Sequence, residues 1–278
     1  MKKITVKERN YIKDKYGYSI APGTSWHEIS EYQYQPLSED FIKEFQDRVK
    51  WNKISAYQHL SEDFIREFQD RVYWDRISAH QHLSEDFIRE FEDRVEWYMI
   101  AKYQHLSENF IREFQDRVYW NYISEYQHLS ENFIREFQDR VNWDYISEHQ
   151  CVSKSFAKEF GIEIKSNCHR KTSEWKKMIE NTGLYECHKD YFYAYKGIRS
   201  DRYSKFNFQY QYLPGETYEC FSDYSDEESS FGLSDWTEEK ARDYCDKLVV
   251  KVKIYYRDVT AIVHDNNKIR CKKFTVIN

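Results

Sequence analysis

Two adjacent Cys-His pairs, Cys168-His169 and Cys187-His188, offer the four soft and borderline ligands a tetrahedral zinc site takes. Neighbouring residues rarely face one ion together, and no C-x-x-C knuckle accompanies them, so the residues argue for no metal. Four further histidines, His59, His82, His105 and His128, recur at one spacing. They close short helical segments and read as last-turn or turn residues rather than ligands. Carboxylates are paired throughout residues 37–151, but on faces whose ordinary job is helix support. No G-x-x-x-x-G-K-S/T, G-x-G-x-x-G, G-x-S-x-G or H-E-x-x-H occurs, so the common phosphate-binding, nucleophile-elbow and zincin sites are not signalled.

A different set of side chains fits recognition. The residue after Val72, Val95 and Val118 varies as Tyr73, Glu96 and Tyr119. Two and three places on lie Tyr98 and Met99, Asn121 and Tyr122, and Asp144 and Tyr145. Rigid aromatics at varied positions on a constant frame suit a partner-binding face, because they give large contact area at low entropic cost. Tyr73, Tyr98, Met99, Tyr119, Tyr122 and Tyr145 are the expected contact residues.

The frame is a repeat of 23 residues. Leu37, Leu60, Leu83, Leu106 and Leu129 each open the block Leu-Ser-Glu-Asp/Asn-Phe-Ile-Arg/Lys-Glu-Phe-Gln/Glu-Asp-Arg-Val-x-Trp. Val152 opens a worn copy, and Trp26 to Gln33 repeats the second half of a unit. In residues 60–82, Ser61 stands where an N-cap is wanted, with Glu62 and Asp63 in the first turn. Phe64, Ile65, Phe68 and Val72 then form one apolar stripe. A second, shorter helix carries Trp74 and Ile77. Glu62–Arg66, Arg66–Asp70 and Glu67–Arg71 are spaced as intrahelical ion pairs. Neither helix can bury its stripe alone, so the unit predicts an α-solenoid of helix–turn–helix repeats. Identity at the outward letters is read as recent duplication rather than charge ladders.

Length and composition agree with an ordered chain. There are 278 residues, 18 % of them aromatic, with only 7 Gly and 3 Pro. No apolar run is long enough for a membrane span, and Met1 to Arg9 lacks the apolar stretch of a signal peptide. With six scattered cysteines, this predicts reduced thiols in a cytoplasm-like compartment. The net charge of −6 is uneven. Residues 37–151 hold 24 acidic against 14 basic side chains, a balance of −10, while 247–278 hold eight basic against two acidic. An acidic array is a poor phosphate binder, so nucleic acid is not the expected partner.

Along the chain, residues 1–23 read as a basic lead-in, 24–165 as the array and 166–183 as a linking helix with Ser173 as N-cap and Gly183 past its end. From 184 the period changes to two. Tyr191–Tyr195, Phe206–Tyr212, Leu248–Ile254, 259–264 and 268–277 read as strands, Pro214-Gly215 turns the chain before Thr217-Tyr218, and Thr237 opens a helix. Residues 184–278 thus form a small α+β domain of five or six strands, with an acidic loop at 223–230.

The repeat wording resembles the helical-repeat proteins of giant amoebal viruses of the mimivirus kind, which implies a host-cell cytoplasm or virion setting more than a function. Tyr195-Lys196-Gly197, Tyr210, Gly215-Glu216-Thr217-Tyr218, Phe231-Gly232-Leu233 and Lys268-Ile269-Arg270-Cys271 resemble a domain of unknown function from phages, bacteria and giant viruses. Many of those relatives carry a histidine where this chain has Ser234. Gly232-Leu233, Ala241, Tyr244-Cys245 and the strand from Leu248 are also similar to the core of ADP-ribosyltransferases. That resemblance implies NAD chemistry with Lys196 or Arg199 at the first-strand position and Glu227 or Glu228 acting on the ribose. The reading taken forward is a non-enzymatic protein-interaction scaffold without cofactor or metal, the transferase being the alternative.

Overall fold

The computed structural model describes residues 3–31, 36–164, 170–204, 210–220, 222, 224 and 232–278. The array begins with α1 (Val6–Tyr16), whose capping box pairs Thr5 with Glu8, and α2 (Trp26–Ser30). Pairs of short helices then follow at the repeat spacing: α3 (Glu39–Glu44) and α4 (Trp51–Tyr57), α5 (Glu62–Glu67) and α6 (Trp74–His80), α7 (Glu85–Glu90) and α8 (Trp97–Tyr103). Next come α9 (Glu108–Glu113) and α10 (Trp120–Tyr126), α11 (Glu131–Glu136) and α12 (Trp143–His149), and finally α13 (Lys154–Phe160), stopped by Gly161 in the left-handed region. The lead-in is part of this body, since Ile4 and Ile12 join its core.

In each unit the serine predicted as N-cap does accept from the third amide of the helix, as Ser61 does from Phe64 at 3.1 Å. The first helix is shorter than the stripe suggested. It ends at Glu67, and Phe68 and Val72 continue as turns while remaining buried. The second helix, at seven residues against six, is the longer of the two. Isolated segments of this length are unstable in water, so contacts between units must hold them. Trp74 supplies one such contact, its ring centroid lying 4.9 Å from that of Phe91 in the next unit.

A buried glutamine supplies another. Gln81 accepts from the Leu60 amide at 3.0 Å and donates to the Ser55 and Gln58 carbonyls at 2.9 and 2.8 Å. Gln104, Gln127 and Gln150 repeat this arrangement atom for atom. Ser55, Ser78 and Ser124 accept from the amides of Tyr73, Glu96 and Asn142, 18 residues further on.

The outward letters are ladder rungs as well, which corrects the reading of their identity as duplication alone. Glu62 accepts from the Ser84 amide, Arg66 reaches Glu90 at 2.8 Å, and Arg94 reaches Asp70 at 2.8 Å. Of the three expected intrahelical pairs, Glu62–Arg66 forms at 3.7 Å. Arg71 turns to Asp47 of the preceding unit instead, and Glu67 receives Lys43.

Residues 170–278 build a second core. α14 (Thr172–Thr182) packs Trp175 and Ile179 onto it; its N-cap is Lys171 rather than Ser173, and Gly183 ends it in the left-handed region. Eight strands follow in one antiparallel sheet: β1 (Glu186–Cys187), β2 (Tyr191–Ile198), β3 (Thr217–Glu219), β4 (Leu233–Trp236), β5 (Leu248–Tyr255), β6 (Val259–Val263), β7 (Lys268–Cys271) and β8 (Lys273–Val276). The order is β3-β8-β5-β2-β4-β7-β6, with β1 beside β2. This exceeds the five or six strands expected, because β1, β3 and β4, at two to four residues, are too short to show a period. The Phe206–Phe208 alternation and nearly all of the acidic loop lie outside the described residues. α15 (Glu238–Tyr244) crosses β2 so closely that a Cβ on Gly197 would meet the Ala241 carbonyl oxygen at 2.1 Å.

Two substitutions separate the ladders from the decoration. Gln104→Leu leaves one buried amide and two carbonyls unsatisfied and is expected to cost the array about 3 kcal/mol or more. Ala101 stands where sibling units have serine, so Ala101→Ser supplies an acceptor for the Tyr119 amide and should add about 1 kcal/mol. Urea unfolding of the two variants measures both, and a gain from Gln104→Leu would contradict the ladder.

Candidate functional site

The second helices of successive units pack side by side, α4 on α6, α6 on α8, α8 on α10 and α10 on α12. Their Ile, Ser and Gln positions are buried, and each Trp is half-buried against the core. Helical spacing then sends the first, second and fifth residues after each Trp outward, and there the sequence varies.

Four of the six expected contact residues come together on this face. Tyr98, Tyr119, Tyr122 and Tyr145, with Trp120, Asn121 and Glu125, line an open cleft of about 520 Å³. Tyr98 and Tyr119 meet edge to face at 6.1 Å between centroids, and Tyr119 and Tyr122 lie at 6.3 Å with planes 50° apart. Tyr119 is 53 % exposed, so its ring is available to a partner. Tyr73 is equally exposed but two units away, and Met99 is half-buried on α8; neither lines the cleft.

Sequence reasoning passed over Glu125, Lys102 and Tyr126. Glu125 and Tyr126 are three and four residues after Tyr122 on α10, and Lys102 is four after Tyr98 on α8, so each shares a face of its own helix with a cleft tyrosine. Lys102 Nζ lies 4.9 Å from the Tyr126 ring centroid and 5.9 Å from that of Tyr122.

The residues implied by the transferase likeness have structural partners. Lys196 is buried between the rings of Tyr212 and Phe274, and its ammonium donates to the Ser234 carbonyl at 2.6 Å. Arg199 pairs with Asp201 at 3.0 Å and donates to the Tyr57 carbonyl at 2.7 Å, while Tyr203 stacks on His59 at 4.7 Å. These contacts dock the sheet on the end of α4. Glu227 and Glu228 lie outside the described residues.

Of the Cys-His pairs, Cys168-His169 lies outside the described residues, while His188 stacks on Tyr191 at 4.6 Å and faces Glu186. His59, His82 and His105 sit exposed, two residues past helices α4, α6 and α8. Desolvation lowers the His105 imidazole, and His128 and His82 lower it further. No group of three or more metal-ligating side chains occurs among the described residues.

Beneath Lys196 lies Asp235, fully buried, its Oδ1 3.8 Å from the ammonium and its Oδ2 3.6 Å from the Cys271 thiol, which donates to it. Desolvation raises this carboxyl to about 6, with Lys196 pulling the other way. The same burial lifts the Cys220 thiol to about 12.

No protein family, curated protein or solved structure matches this chain. The class rests on the geometry alone: an array of paired short helices at 23-residue spacing with an aromatic cleft, joined to an eight-stranded antiparallel sheet.

Asp235 makes the sheet's stability depend on pH. A carboxyl raised in the folded state favours folding fully below its unfolded value near 4 and loses that advantage as pH rises through about 6. The loss is about 3 kcal/mol for a shift of this size. Thermal unfolding between pH 4 and 7 should therefore show a flatter pH dependence for Asp235→Asn than for the parent. An unchanged slope would contradict the raised carboxyl.

Proposed function

We propose that the chain is a non-enzymatic interaction scaffold. Its repeats form an α-solenoid that binds a protein partner through the outward positions of the second helices. The small α+β domain is anchored on the solenoid at Tyr57 and His59. The observation that carries this reading is the convergence of Tyr98, Tyr119, Tyr122 and Tyr145 on one cleft. Exposed tyrosines clustered on a repeated frame have the composition of a binding hot spot.

The face is held by helices whose inward positions are buried and hydrogen-bonded, so its rings are presented with little freedom left to lose on binding. The acidic balance of residues 37–151 directs the reading to a protein partner rather than nucleic acid. No helix among the described residues is long and apolar enough to cross a membrane. A host-cell cytoplasm or virion setting belongs to the same proposal and rests on the giant-virus likeness of the repeat wording.

Affinity capture from a host lysate with the full chain tests the scaffold. Tyr119→Ala combined with Tyr122→Ala should weaken a reproducibly captured protein by about tenfold or more, as loss of hot-spot aromatics does. Arg199→Ala, at the domain anchor, should leave capture intact. The reverse pattern would move binding to the sheet domain and contradict the proposal.

A further inference from the structure

We infer that the tyrosine cleft is a cation cage, taking the ammonium or methylammonium head of a lysine side chain on the partner. This rests on the proposed scaffold role and specifies the chemistry of that site.

Aromatic faces attract cations through their quadrupole, and quaternary or methylated ammonium groups are the ligands that rings in several orientations enclose best. The rings here are turned against one another, at 75° for Tyr98–Tyr119 and 50° for Tyr119–Tyr122, so they form walls of a concavity rather than a flat stack. The cleft of about 520 Å³ is open to solvent and wide enough for a lysine head with its methyl groups.

The chain already shows this chemistry in use. Lys102 holds its ammonium over Tyr103 at 5.4 Å and Tyr126 at 4.9 Å and reaches Tyr122, at one wall of the cleft, at 5.9 Å, and Lys53 does the same over Tyr57 at 5.3 Å. One unit beyond Lys102 the equivalent residue is Glu125, which lines the cleft. A carboxylate thus stands at the position from which an earlier unit supplies its own ammonium. Among the described residues no lysine or arginine is placed over the Tyr98 or Tyr119 ring. The array's acidic balance steers a cation to this face. The Glu125 carboxylate beside the ring faces adds a Coulombic attraction for a cation held there.

The test uses the full chain, with choline as the probe and 3,3-dimethylbutan-1-ol as its neutral isostere, read by tyrosine ring NMR shifts. Choline should bind in the millimolar range and at least about tenfold more tightly than the isostere, as expected of a cation–π site. Tyr119→Ala should abolish the shifts, Glu125→Gln should weaken binding several-fold, and Tyr73→Ala, two units away, should leave it unchanged. Tyr119 and Glu125 are not buried, so both variants are expected to fold, and unfolding curves verify this.

Equal affinity for choline and the isostere, or no shift with either, overturns the cage. If choline fails while Tyr119→Ala with Tyr122→Ala still loses a captured protein, the scaffold stands and the cage falls. If choline binds but that double variant keeps every partner, the cleft holds a cation without serving a partner, and the partner-lysine assignment and the scaffold reading both fall.

Discussion

A buried side-chain amide ties each unit to the one before it. The carboxamide of Gln81 satisfies the first amide of its own unit and two carbonyls at the end of the preceding second helix. Helices of six or seven residues have no independent stability, so their ends would otherwise leave buried polar groups without partners. The glutamine supplies those partners from a neighbouring unit, so the local structure of one repeat depends on contact with the next. Inward identity therefore follows from packing, and only the outward positions of the second helices are left to vary.

That division of labour explains the site. Tyr98, Tyr119, Tyr122 and Tyr145 belong to three successive units and meet because α8, α10 and α12 lie in contact. Registration between units is set by the glutamines and by Trp–Phe contacts such as Trp97 on Phe114 at 4.9 Å. The charged rungs outside, Arg89 to Glu113 and Arg117 to Asp93 among them, are exposed and each adds little on its own. Their repetition still specifies register, because a slip by one residue would remove all of them together.

The array was largely legible in its sequence because one pattern occurs five times. Ser61 as N-cap and the buried stripe Phe64, Ile65 and Val72 follow from residue type and spacing. What escaped was long-range. Gln81 reads as a polar residue at a helix end, and its burial becomes visible only once a neighbouring unit closes over it. Arg71 was assigned to its own helix because sequence spacing shows intrahelical neighbours and not the Asp47 of another unit. Four of the six residues expected from variability and aromatic character line one cleft, while Glu125 of the same cleft was passed over because it is polar. In the sheet, β2 and β5 show clear alternation, but three-residue β3 cannot, and the Lys196–Asp235 pair arises from strands distant in sequence.

Amide hydrogen exchange at Leu60, Leu83, Leu106 and Leu129 tests the central claim most directly, since each of these amides donates to a buried glutamine rather than to a helix. If the glutamines couple the units, these four amides exchange only through unfolding of the array, and together. Exchange as fast as that of the exposed turn amides of His82 and His105 would show that the units are held by packing alone, and would contradict the account.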